Sequence, residues 1–132
     1  MKNTDKVNPD ELKRFESEFQ GVKDVIPEIL RLKKEYEERK IQINVLNNYA
    51  ETLTDNQLVT LYTIYYCGRD YKRQPIDGVS IKNDYLKECV LTMDALYLSY
   101  DKGINRMECL RFLNNKWRWI NDFLMLALNI LK

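Results

Sequence analysis

Histidine is absent from this sequence of 132 residues, and only four glycines are present. Histidine is the side chain that most often serves as a general base or a metal ligand near neutral pH, so its absence removes the usual catalytic triads and most zinc sites. A phosphate-binding loop needs clustered glycines, and these are dispersed at Gly21, Gly68, Gly78 and Gly103. We therefore expect a protein that is not an enzyme, holds no cofactor or metal ion, and has no small-molecule substrate.

Cysteines are few, and long apolar runs are lacking. The three cysteines show neither the even number nor the paired spacing of a disulfide scaffold or a zinc site: Cys67, Cys89 and Cys109. The polar start of the sequence, residues 1–5, does not resemble a signal peptide. The most apolar segment, residues 117–131, is shorter than the ~20 residues that span a bilayer. We expect three free, buried thiols in a cytoplasmic protein that makes no contact with membranes.

Charge of either sign is not in excess, since 21 basic residues face 20 acidic ones. The net charge of +1 supplies no general attraction to nucleic acid, so binding of that kind would need a local basic patch. Hydrophobic residues at 45% and charged residues at 31% are ordinary values for a globular chain. We expect one domain over residues 1–132, with a flexible tail at residues 1–7.

Two amphipathic helices are predicted for residues 8–50. Asn8, Pro9 and Glu11 combine a capping residue, a proline at the first helical position and a glutamate three residues after the cap. Pro27 predicts a break near residues 21–26, and the pattern predicts a second, long helix over residues 27–49. Apolar residues at spacings of three and four define the buried stripe: Leu12, Phe15, Phe19, Val22, Ile26, Ile29, Leu32, Tyr36, Ile43 and Leu46.

The charged stretch at residues 31–40 is most simply a solvated helix face. A coiled coil that binds a partner, or a homodimer through these N-terminal helices, is the alternative that the sequence leaves open. Lys33 and Glu37 are the candidate partner contacts on this face. Trp119 is a third, because Trp117 belongs to the apolar stripe of its helix and Trp119 does not.

Further along the chain, Thr54 and Gln57 form a capping box that opens another helix, which Gly68 should end. Residues 69–80 read as a loop. Residues 117–131 are apolar almost all round, which predicts a buried core helix in preference to a membrane anchor. The fold class is therefore all-α, a compact bundle of five or six helices with a buried apolar C-terminal helix.

A helix-turn-helix is suggested by the apolar spacing between Asp84 and Met107. The motif would consist of a short helix near residues 81–89, a turn at Val90 and Leu91, and a second helix that Thr92 caps and that reaches Met107 or Leu113. The two helices would bury one set of inward-facing residues. That set is Tyr85, Cys89, Leu91, Leu96, Tyr100, Gly103, Ile104 and Met107.

This segment resembles the helix-turn-helix of bacterial sigma-factor region four and of ArpU-type phage transcriptional regulators. The resemblance covers residues 53–107, within a possible helix-turn-helix region over residues 53–113. It rests on a preceding helix over residues 53–66, on Thr92 as the cap, and on the pair Gly103 and Ile104 late in the second helix. It implies a small, phage-encoded regulator that controls transcription by binding DNA. The candidate DNA contacts are Arg69, Lys72, Arg73, Lys82, Tyr97, Lys102 and Arg106.

A protein-binding role is the alternative function. The groove-facing positions of the second helix include Asp94 and Asp101 and no arginine, and aspartates there repel the phosphate backbone. A non-enzymatic inhibitor or adaptor, for example one that a mobile element directs at a host protein, would need no contact with nucleic acid. The sequence leaves DNA and a protein partner both open.

Overall fold

The computed structural model describes residues 7–70, 81–115 and 117–131, and within these ranges the side chains of all residues except 70, 112–115 and 117–120. The described chain is all-helical, as predicted, and contains no strand. It forms seven α-helices where the sequence suggested five or six: α1 Pro9–Gln20, α2 Val25–Glu37, α3 Ile43–Glu51, α4 Asp55–Asp70, α5 Ile81–Ala95, α6 Arg106–Asn115 and α7 Trp117–Ile130. Every helix contributes to one hydrophobic core, with Phe15, Ile29, Leu46, Leu61, Tyr85, Cys109 and Leu124 as examples.

Helix α1 begins where the sequence predicts. The Asn8 side chain accepts a hydrogen bond from the Asp10 backbone N–H at 2.8 Å, and Pro9 occupies the first position, where no N–H is required. The chain turns at residues 21–24, which confirms the predicted break. Pro27 then lies in the first turn of α2, where its missing N–H has no acceptor within the helix.

Helix α2 ends at Glu37, so the single long helix expected over residues 27–49 is wrong. Arg39 adopts a left-handed backbone with φ +60°, and the Lys40 N–H donates to the Glu35 carbonyl at 2.8 Å. This pattern is a Schellman motif, which closes a helix by using carbonyls that the helix leaves unpaired. Glycine usually occupies the left-handed position, and because arginine stands there the sequence gives no stop signal.

Helix α4 is the central helix of the bundle, packing against α1, α5, α6 and α7. Its capping box forms as predicted, with Thr54 and Gln57 exchanging backbone-to-side-chain hydrogen bonds of 2.8 and 3.1 Å. Residues 58–65 are all buried. In the described part of α7, the helix expected to form the apolar core, Leu124 and Ala127 are buried and Met125 is 42% exposed. No helix in the described part of the chain has both the length and the apolarity to cross a membrane.

Gly68 lies inside α4 and does not end it, contrary to the expectation. A Cβ atom at Gly68 would lie 2.7 Å from the Cβ of Phe123 in α7, closer than two carbon atoms can pack. The missing side chain therefore lets α7 approach the centre of α4.

Helix α5 runs unbroken through the turn predicted at Val90 and Leu91, so the helix-turn-helix expected over residues 84–107 does not form. Val90 is buried, and the Thr92 hydroxyl donates to the Glu88 carbonyl at 2.7 Å within the helix, so it caps no new helix. The buried positions of α5 keep helical spacing through the predicted turn and beyond it, which favours one continuous helix: Tyr85, Leu86, Cys89, Val90 and Thr92.

Candidate functional site

Arg106, a predicted DNA contact, forms an ion pair and hydrogen bonds with other parts of the protein. Its guanidinium forms an ion pair with Asp55 at the start of α4, and it donates to the carbonyls of Glu51 at 3.2 Å and Leu53 at 2.9 Å. It thereby ties the first residue of α6 to the turn between α3 and α4. A guanidinium engaged by three acceptors is poorly placed to bind phosphate.

The other predicted DNA contacts do not form one basic surface within the described residues. Lys82 forms an ion pair with Glu16 of α1 at 3.1 Å, and Arg69 lies over the ring of Tyr66 at 4.7 Å. Lys72 and Arg73 lie outside the described residues. Two candidates remain, Tyr97 and Lys102, and both lie in residues 96–105, which we term the α5–α6 loop.

The α5–α6 loop begins with a second Schellman motif, centred on Tyr97. The Tyr97 N–H donates to the Asp94 carbonyl and the Leu98 N–H donates to the Met93 carbonyl, both at 3.0 Å. Tyr97 has φ +57°, in the left-handed region, and its side chain is 93% exposed. An aromatic residue therefore stands, almost wholly in solvent, at a position where glycine is usual.

The rest of the loop is fastened to the core. Tyr100 and Thr60 are joined by a hydrogen bond of 2.8 Å between their hydroxyl oxygens. Because the single Thr60 proton goes to the Asn56 carbonyl at 2.8 Å, the Tyr100 hydroxyl is the donor. Burial raises the pKa of Tyr100, which keeps this donor protonated. The loop thus presents Tyr97 on an anchored frame.

A depression of about 300 Å³ adjoins Tyr97, and its lining combines the apolar Leu96, Leu98 and Ile104 with the polar Asn105 and Glu108. Met107, in the first turn of α6 and next in sequence to Glu108 of this lining, is 68% exposed. The Cys109 thiol also reaches the depression, but burial raises its pKa to about 11, so it stays protonated and unreactive near neutral pH.

An acidic cavity of about 290 Å³ lies on the other side of the loop, between the start of α1 and the end of α5. Its floor is apolar and includes Val90, Met93, Leu98 and Tyr100. Four acidic residues line the same cavity: Asp10, Glu11, Asp94 and Asp101. Arg14 is the cation of this lining, and Leu98 lines both the cavity and the depression beside Tyr97.

The predicted partner contacts of the N-terminal region have different fates. Lys33 is buried with 1% exposure and does not face solvent; its ammonium lies 3.8 Å from a carboxylate oxygen of Glu37, which is half exposed. Lys33 falls four residues after Ile29 and seven after Ile26, so it shares a face with these two buried residues. The side chain of Trp119 lies outside the described part of the structure.

Lys33→Met should stabilise the fold by about 1 kcal/mol near neutral pH, because a buried ion pair is often weaker than an apolar residue of similar volume. Burial lowers the pKa of the Lys33 ammonium below its ordinary value of 10.5. The unfolded chain therefore holds more protons than the folded chain between that lowered pKa and 10.5, and the penalty disappears as pH rises through this window.

Chemical denaturation of Lys33→Met and wild type at several pH values tests this expectation. The difference in unfolding free energy should narrow as pH approaches 10.5. Lys34→Met, which changes the exposed neighbouring lysine, should leave stability within about 0.5 kcal/mol at every pH. A Lys33→Met variant less stable than wild type at neutral pH would contradict the account.

Sequence reasoning selected Tyr97 as a DNA contact but not Met107 or the acidic residues near the loop as contacts. Met107 was assigned to the inward face of a helix that does not form, and Glu11 was interpreted only as part of the signal that begins α1. The sequence did contain a signal for the acidic surface: Asp94 and Asp101 repel a phosphate backbone and so disfavour DNA binding at this position.

Within the described residues, no group of three or more cysteine and carboxylate side chains is placed to hold a metal ion. No protein-family model, curated protein or solved structure matches the chain. The resemblance of residues 53–107 to sigma-factor region four and to ArpU-type regulators therefore stays a prediction.

Proposed function

We propose that this protein is a non-enzymatic regulator that binds another protein, as an adaptor or inhibitor, through the α5–α6 loop. The observation that carries the proposal is Tyr97, which combines 93% exposure with a left-handed backbone. Tyrosine is among the residues that dominate binding energy at protein interfaces, since it buries a large rigid area and loses little conformational entropy. Tyr97 is therefore the central contact of the proposed surface.

The backbone of Tyr97 strengthens this interpretation. A residue with a Cβ atom costs about 1–2 kcal/mol in the left-handed region, whereas glycine adopts it freely. The ring gives little in return to the isolated fold, because almost all of it lies in solvent. Strained backbone is enriched at binding sites, and the exposed aromatic ring distinguishes Tyr97 from Arg39, which has the same backbone conformation. Met107, in the first turn of the helix that follows the loop, is also exposed, and methionine is enriched at interfaces.

DNA binding stays the competing prediction, and the described geometry offers it less support. The end of α5, where the recognition helix was expected, adjoins a cavity with four carboxylates and one guanidinium. Duplex DNA binds chiefly through phosphate contacts with lysine and arginine, so such a surface disfavours it. Lys102 is the one predicted cation of this loop, and it lies next to Asp101 in the chain.

A pair of glycine variants tests the proposal. Tyr97→Gly should raise the unfolding free energy by about 1 kcal/mol, because it relieves backbone strain. It should also lower the affinity for a partner protein isolated with the wild-type chain by about tenfold or more. Arg39→Gly makes the same change in the Schellman motif of α2, so it should raise stability similarly and leave partner affinity unchanged. Denaturation and calorimetric titration measure the two quantities.

Equal partner affinity in both glycine variants would exclude Tyr97 as the central contact. Random duplex DNA is titrated in parallel at low and moderate salt. Tight binding at low salt that weakens steeply as salt rises would favour the DNA prediction over the protein-binding one, because it reports release of phosphate counterions.

A further inference from the structure

The acidic cavity places a negative charge at the carboxyl end of a helix, where negative charge is unfavourable. Asp94 lies in the last turn of α5, where the unpaired carbonyls already give the helix end a partial negative charge. Its carboxylate has no hydrogen bond or ion pair within the described structure. A carboxylate at this end of a helix destabilises the isolated fold, and a cation brought from outside would remove that penalty.

The cations in the described part of the chain do not neutralise the cavity. Arg14 lies 3.8 Å from Asp101, 3.9 Å from Glu18 and over the ring of Tyr100, so it is shared between the cavity and α1. Asp10 and Glu11 project from the first turn of α1 and have no ion pair among the described residues. The lining therefore keeps an excess of negative charge beside an apolar floor.

The lining itself shows which chemistry it accommodates. The guanidinium of Arg14 lies 5.1 Å from the centre of the Tyr100 ring with the Asp101 carboxylate close by. Lysine and arginine have an apolar stem that packs on hydrophobic surface and a charged head that stays near carboxylates and water. A volume of about 290 Å³ is at the lower end for a small-molecule pocket, and it suits a side chain better than a whole ligand.

We propose that the acidic cavity binds a lysine or arginine side chain of the partner protein, which docks through a basic amphipathic segment. Leu98 separates the cavity from the depression beside Tyr97 and lines both. One extended or helical segment can therefore place its cation over Val90 and Met93 and an adjacent apolar residue against Tyr97. This inference names the chemistry of the partner and rests on the proposed function for the identity of the surface.

A designed probe tests the cavity without the natural partner. The probe is a short peptide of alternating arginine and leucine, and its matched control carries citrulline in place of arginine, which keeps the shape and removes the charge. Titration into the isotope-labelled full chain, followed by NMR, should shift resonances of residues 90–101 with the arginine peptide only. The affinity should fall as salt rises, because exposed charges are screened.

Two isosteric variants locate the binding site. Asp94→Asn should lower the affinity for the arginine peptide by about fivefold or more, since it removes a carboxylate that has no ion pair among the described residues. Asp24→Asn makes the same change in net charge at an exposed residue before α2 whose side chain caps no N–H, and it should leave the affinity unchanged. Equal weakening by both variants would overturn the proposal, as would equal binding of the citrulline peptide.

The natural partner then separates the two proposals. If Asp94→Asn and Tyr97→Gly both lower the affinity for the partner, the proposed function and the cavity inference are both supported. If the partner binds Asp94→Asn as tightly as wild type while Tyr97→Gly loses it, the cavity inference fails and the proposed function survives. If Tyr97→Gly keeps full affinity, the proposed function fails whatever the arginine peptide does.

Discussion

Replacing Gly68 with valine should lower the free energy of unfolding by about 3 kcal/mol, at the upper end of the usual cost of overpacking a core. A Cβ at this position would lie 2.7 Å from the Cβ and 2.9 Å from two ring carbons of Phe123. The Phe123 Cβ is fixed to the backbone of α7, so a rotamer change cannot relieve the contact. The whole of α7 would have to move away from α4.

Gly21→Val is the matched control for Gly68→Val. Gly21 is exposed at the end of α1 with φ −72°, an ordinary value for any residue, and the nearest atom to its added Cβ is the Glu18 carbonyl oxygen at 3.2 Å. Its stability should change by no more than about 0.5 kcal/mol. Comparable destabilisation by both valines in urea denaturation would show that α7 does not depend on the missing side chain of Gly68.

Arg106→Ala should cost about 2 kcal/mol, because it removes an ion pair and leaves two carbonyls of the α3–α4 turn without their charged donor. The guanidinium is 38% exposed, so water recovers part of the lost interaction and the cost stays below that of a buried ion pair. The same denaturation experiment measures the loss.

Arg111→Ala provides the comparison for Arg106→Ala. Arg111 lies on the same helix, is exposed and has no partner among the described residues, so its removal should change stability by less than about 0.5 kcal/mol. If the two alanine variants lost the same stability, Arg106 would be an ordinary surface charge. It would then again be free to act as the DNA contact that the sequence suggested.

The starts of α1 and α4 could be predicted from the sequence because the hydrogen bonds that cap them are local, whereas the starts of α3 and α6 could not. Asn8 caps α1, and Thr54 with Gln57 caps α4, and each uses a side chain within three residues of its backbone partner. Helix ends were not legible. Arg39 and Tyr97 both adopt the left-handed conformation that normally identifies itself through glycine, so α2 was predicted too long and the end of α5 was missed.

The continuity of α5 depends on contacts that are distant in sequence. Val90 stands where a turn was expected, and its burial among residues of other helices keeps the backbone helical at that point. The same limitation hid the acidic cavity. Asp10 and Glu11 meet Asp94 and Asp101 only because α1 packs against α5, which no local pattern reports.

Lys33 illustrates a signal that was present and misread. Its spacing from Ile26 and Ile29 places it on the buried stripe of α2, yet its charge suggested a solvated face. Position in the helical repeat outweighed residue type, because the long aliphatic stem of lysine can pack like an apolar side chain.

Cross-linking from position 97 tests the central claim most directly. A photoreactive phenylalanine derivative replaces Tyr97 in one chain and Tyr36, an exposed tyrosine of α2, in another, and both are irradiated in extract of the source cell. We predict one discrete protein adduct from position 97 only, which excess unlabelled wild-type chain suppresses and excess Tyr97→Gly chain does not. The same adduct from position 36, an adduct with DNA, or equal suppression by the Tyr97→Gly chain would contradict the account.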